Sequence, residues 1–90
     1  MSVNDLEVRN GPDRADLLRA LVNPYPYLRA FFETERESVE ARIDGIEEID
    51  QDGVTFGLRG QFVSGSLQGV RFAGTYESAR RKGRLILKRS

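Results

Sequence analysis

Between Gly53 and Lys88 the chain alternates apolar and polar positions. Val54, Phe56, Leu58 and Phe62 fall on one parity, and Thr55, Gly57, Arg59 and Gln61 on the other. Successive side chains of a strand point to opposite faces, so this run predicts a strand with one buried and one wet face. It extends to about Val63, where Ser64-Gly65-Ser66 marks a turn. A second run, roughly Leu67 to Glu77, places Val70, Phe72, Gly74 and Tyr76 on one parity. Arg80-Arg81-Lys82-Gly83 then caps a hairpin, and Arg84 to Arg89 forms a last strand around Leu85 and Leu87.

Upstream, Val39, Ala41 and Ile43 alternate with Glu40, Arg42 and Asp44. A helix running through this segment would gather Phe32, Val39, Ile43 and Ile46 near one face. Gly45 opposes it, at a cost of about 1 kcal/mol relative to Ala in a helix interior. A strand over residues 38–50 is the reading, and the shift of apolar phase to Ile46 and Ile49 predicts a β-bulge at Gly45. Asp50-Gln51-Asp52-Gly53 supplies the positive φ of a hairpin turn.

The first third reads as helical. Asn10-Gly11-Pro12-Asp13 opens a helix with Pro12 at its first position and Asp13 and Asp16 near its positive end. Leu17, Leu18, Leu21 and Val22 form its apolar stripe, and Asn23-Pro24 stops it. A second helix is predicted from Pro26, with Tyr27, Leu28, Phe31 and Phe32 as its stripe. Residues 1–11 fit either a tail or a short edge strand, with Leu6 and Val8 alternating with Glu7 and Arg9. The expected fold is a single α+β domain over residues 12–90. It consists of two N-terminal helices packed on a four-stranded, strongly twisted antiparallel meander. Gly57, Gly60, Gly69 and Gly74 favour curling of that sheet toward a barrel-like form.

Ninety residues make one domain, and 25 of them are Leu, Ile, Val or Phe, enough for a core. No residue is Cys, so disulfides and thiolate metal sites are excluded. No apolar run approaches the roughly 20 residues of a membrane span, and the N-terminus has no secretory pattern. The expected setting is the cytoplasm, with no membrane partner.

Charge is zero overall and unevenly placed. Residues 1–52 carry a balance of −7, and residues 53–90 a balance of +7 with Glu77 as their sole acid. Such a split serves an anionic partner, or neutralises itself within the fold or between two copies.

The chemical inventory is narrow. There is no His, so Ser–His and Cys–His dyads are excluded, and the glycines match no phosphate-binding or dinucleotide pattern. Glu47, Glu48, Asp50 and Asp52 cluster at one hairpin, but the spacing lacks the third acid and the terminal glutamate of a calcium loop. A solvated turn is the reading, and no cofactor or metal is expected.

The remaining lead is basic. Parity places Arg59, Arg71, Arg84 and Lys88 on the open face of the sheet, with Arg80, Arg81 and Lys82 on the adjoining turn. Such a surface grips phosphates, although Glu40 and Asp44 dilute it and the buried-parity aromatics leave it without a stacking platform. A non-catalytic interaction module that binds a protein partner or its own copy is the leading expectation. An anion or nucleic-acid binder using those seven residues is the alternative. A small-molecule carrier lined by Tyr27, Phe31, Phe56, Phe72 and Tyr76 ranks third.

Overall fold

The structure, a computed structural model, describes residues 4–22 and 28–88. Its strands and helix follow the order β1 (Asp5–Arg9), α1 (Arg14–Val22), β2 (Leu28–Glu33), β3 (Ser38–Glu48), β4 (Thr55–Phe62), β5 (Arg71–Glu77) and β6 (Lys82–Lys88). Each strand pairs antiparallel with the next, and β1 also pairs with β6, so the sheet closes into a six-stranded up-and-down barrel. This replaces the expected two helices on a four-stranded meander. The expected turn at Asn23-Pro24, the helix start at Pro26, Tyr27 and the strand end at Arg89 lie outside the described residues.

The segment read as a second helix is β2. Its burial alternates, with Leu28, Ala30 and Phe32 turned inward and Arg29, Phe31 and Glu33 outward. Opposite them on β3 stand Ile43, Ala41 and Val39, so each inward residue gains an apolar cross-strand partner. Such pairing outweighs the weak local preference that the Phe31–Phe32 doublet gives a helical stripe. The turn to β3 is closed by Thr34, whose hydroxyl accepts from the N–H groups of Arg36 and Glu37 and donates to the Glu37 carbonyl. No Gly, Asn or Pro signals this turn in the sequence.

β3 carries its bulge at Asp44, between the pairs Ile43–Gly60 and Gly45–Arg59. The Asp50–Gly53 turn forms as its residues require. Gly53 has φ 67°, and Asp50 Oδ1 accepts from the N–H groups of Val54 and Thr55. Leu67 belongs to the β4–β5 loop, and β5 starts only at Arg71. The last hairpin turns at Ser78–Arg81, so Lys82 and Gly83 are already strand.

Helix α1 begins two residues later than predicted, at Arg14 rather than Pro12. Asp13 is its N-cap, accepting from Asp16 N–H at 2.9 Å, and Pro12 precedes it. Leu17 is buried in the core, Leu18 and Leu21 pack against it, and Val22 is exposed. The helix sits at the end of the barrel that holds the β3–β4 turn, where Arg14 donates to the Asp52 carbonyl.

Fourteen apolar side chains of the described residues fill the interior, among them Phe32, Phe56, Phe62, Phe72 and Tyr76. The rings of Phe62 and Phe72 lie 4.7 Å apart, and Tyr76 meets Phe32 edge-on at 5.9 Å. Gly60 and Gly74 let the strands bend tightly, since a Cβ at either would fall 2.1 Å from a carbonyl oxygen of the adjacent strand.

Candidate binding surfaces

The register of the successive hairpins brings together outward side chains that lie far apart in sequence. Register places Arg29 opposite Arg42, Arg42 opposite Gln61, Gln61 opposite Arg71 and Arg71 opposite Lys88. With neighbouring strands about 4.8 Å apart, this row spans roughly 19 Å across five strands. Arg59 lies beside it, two residues from Gln61 on the same face of β4, with its guanidinium laid over Gly45. Two carboxylates dilute the row. Glu40 accepts from Arg29 at 2.7 Å, and Asp44 from Arg71 at 3.0 Å. Five cations against two anions leave a net positive band.

The predicted basic residues separate into two groups. Arg59, Arg71 and Lys88 belong to this band. Arg84 stands opposite Glu7 on β1 and Thr75 on β5, nearer the other end of the sheet. Arg80 pairs with Glu77 at 3.6 Å, and Lys82 lies between Arg9 and Glu77. Arg81 turns away from the predicted cationic tip: at φ 53° its guanidinium reaches back to the carbonyls of Gly11 and Asn10. That side chain ties the β5–β6 turn to the segment entering α1. Arg29 and Arg42, absent from the predicted set, complete the band. Strand parity carries the signal for both: Arg42 alternates with Ala41 and Ile43, and Arg29 joins once residues 28–33 are read with period two.

The aromatics proposed for a carrier do not line one pocket. Phe56, Phe72 and Tyr76 lie in the packed core, while Phe31 is 62% exposed on the outside of β2. Tyr76 donates to the Pro12 carbonyl at 2.7 Å, and burial pushes its pKa from 10.0 up to about 12. The turn N–H groups hold the Asp50 carboxyl below its ordinary value, the Val54 N–H foremost. Asp50 thus serves its own turn. Among the described residues, no three acidic side chains are grouped to hold a metal ion.

A second surface lies at the opposite end of the barrel from α1. Strands β1 and β2 share only the pair Arg9–Glu33, so the seam between them opens beyond Arg9. There a groove of about 540 Å³ separates Asp5, Leu6 and Glu7 from the turn Thr34–Glu37. Leu67 and Leu87 also line it, and Glu37 is fixed on its far side by accepting from the N–H and hydroxyl of Ser66.

No helix among the described residues is long and apolar enough to cross a membrane. Compared with protein-family models, curated proteins and solved structures, the chain matches none.

Proposed function

We propose that this protein is a non-catalytic interaction module that binds a protein partner, or a second copy of itself, through its outer surface. The observation that carries the reading is the basic band Arg29–Arg42–Gln61–Arg71–Lys88, assembled across five strands over a filled interior. The acids Glu47, Glu48 and Asp52 stand at the end of the barrel that α1 occupies, so one copy offers both signs of charge. Complementary patches of this kind steer association and fix register. The reading places the chain in the cytoplasm, with which a cysteine-free composition is compatible.

Sedimentation velocity across a salt series tests it. The expected result is reversible association at low salt that weakens as salt rises and weakens further in the Arg71→Ala, Lys88→Ala double variant. A strict monomer at every salt that retains no protein partner on a column would sink the reading.

One observation favours a nucleic-acid partner as the second reading. Phe31 is the one exposed aromatic ring among the described residues, and it lies two residues from Arg29 on the outer face of β2. A ring beside a basic row offers a base one place to stack. Anisotropy of labelled random RNA and DNA oligomers decides it. Binding that falls steeply with salt and drops in Phe31→Ala supports nucleic acid, and flat traces remove it.

A further inference from the structure

The seam between β1 and β2 exposes backbone as well as side chains. Leu87 N–H donates to the Asn4 carbonyl at 2.7 Å. In an antiparallel ladder the residues that bond to a given neighbour alternate, so Leu6 and Val8 also turn their N–H and C=O groups toward β6. Asp5 and Glu7 turn theirs the other way, as does Arg9, which meets Glu33 on that side. Among the described residues no strand pairs with Asp5 or Glu7 there. The groove of about 540 Å³ runs along this edge.

We infer that this edge binds an extended peptide by strand addition, and that the peptide alternates basic and apolar residues. The inference rests on the reading as a protein-binding module and gives it a site. Side chains directly opposite one another on paired strands share a face. Peptide residues opposite Asp5 and Glu7 therefore point outward, beside these two exposed carboxylates and across from Glu35 and Glu37. Four carboxylates outnumber Arg36 and Arg84 on the rim, so lysine or arginine fits these places. A residue opposite Leu6 points inward, toward Leu67 and Leu87, where valine or isoleucine fits. Main-chain hydrogen bonds at Asp5 and Glu7 supply affinity, and the alternation supplies specificity.

The test uses the full chain and a fluorescein-labelled hexapeptide of alternating lysine and valine, with a glutamate–valine peptide as its charge-reversed control. Binding is read by anisotropy, and amide exchange of Asp5 and Glu7 by NMR. The expected result is saturable binding of the lysine peptide alone, with exchange at Asp5 and Glu7 slowed about tenfold or more when it is bound. Glu35→Lys, on an exposed turn, weakens binding about tenfold. N-methylation of the peptide amides that face β1 abolishes it while leaving peptide charge intact. Equal binding of both peptides, unchanged exchange at Asp5 and Glu7, or full binding by the N-methylated peptide overturns the inference. Protection of those amides by concentration alone, without peptide, also overturns it and assigns the edge to a second copy. Salt-sensitive self-association with Asp5 and Glu7 unprotected overturns this site and leaves the interaction-module reading standing.

Discussion

Tyr76 holds three separate parts of the chain together. Its ring packs edge-on against Phe32 of β2, and its hydroxyl donates to the carbonyl of Pro12, just before α1. Gly11 makes room for both rings, since a Cβ there would fall 2.6 Å from Phe32 and 2.8 Å from the Tyr76 hydroxyl. Tyr76→Phe leaves the buried Pro12 carbonyl without its donor and is expected to cost about 1–2 kcal/mol in urea unfolding at neutral pH. The pH dependence has a definite sign. With its pKa raised to about 12, the folded state holds the phenol proton more tightly than the unfolded chain does. The stabilising contribution is complete below about pH 10 and is lost as pH rises through about 12. Unfolding curves between those limits should therefore fall more steeply for the natural chain than for Tyr76→Phe. Parallel curves would show that the hydroxyl does not link alkaline unfolding to this contact.

At the scale of elements, β2 is the segment whose identity changes the fold. Period-two burial puts Phe31 outside and Phe32 inside, whereas a helical stripe would bury both. Phe31→Thr is accordingly expected to shift stability by no more than about 0.5 kcal/mol, and Phe32→Ala to cost about 3–5 kcal/mol. Similar large losses at both positions would contradict the strand. For α1, Asp13→Ala removes the N-cap and should cost about 1 kcal/mol, whereas Asp16→Ala should cost less. The four runs now seen as β3 to β6 were legible because their apolar positions alternate and glycine marks the turns before β4 and β5, although the turn Ser78–Arg81 before β6 holds none. Even there the start of β5 is Arg71 rather than Leu67, because Val70, half-buried in the loop, continues the parity of Phe72 and Tyr76. β2 was illegible because adjacent phenylalanines blur its period and Thr34 closes its hairpin with a side chain. The site was legible to the same extent. Arg59, Arg71 and Lys88 followed from parity, and Arg29 was hidden with β2. Arg42 was visible as an outward position, but its place in the row depends on the register of β3 with β2 and β4. The diversion of Arg81 depends on a positive φ that nothing in Arg80-Arg81-Lys82 announces.

For the whole molecule, closure joins the two ends of the chain. β1 pairs with β6 over five residue pairs but with β2 over one, so it is held along a single edge. β4, by contrast, is paired along its length on both sides, and Phe56, Leu58 and Phe62 anchor it in the core. Bringing β1 to β6 also closes nearly the full length of the chain, an entropy cost that local hairpins do not bear. Opening of the barrel is therefore expected to start at the seam. Native-state hydrogen exchange should give β1 amides, including the hydrogen-bonded Leu6 and Val8, a lower opening free energy than those of β4. Leu58 and Phe62 should exchange only through global unfolding, with a slope on denaturant equal to that of the full transition. Equal opening energies in β1 and β4 would mean that the seam is no weaker than the hairpins. Val8, fully buried, sets how far the difference can grow, because releasing β1 exposes it. Val8→Ala should thus lower the β1 opening energy and the global stability together, by about 1–3 kcal/mol. A substitution on the outer face of β1, such as Asp5→Ser, should leave global stability within about 0.5 kcal/mol.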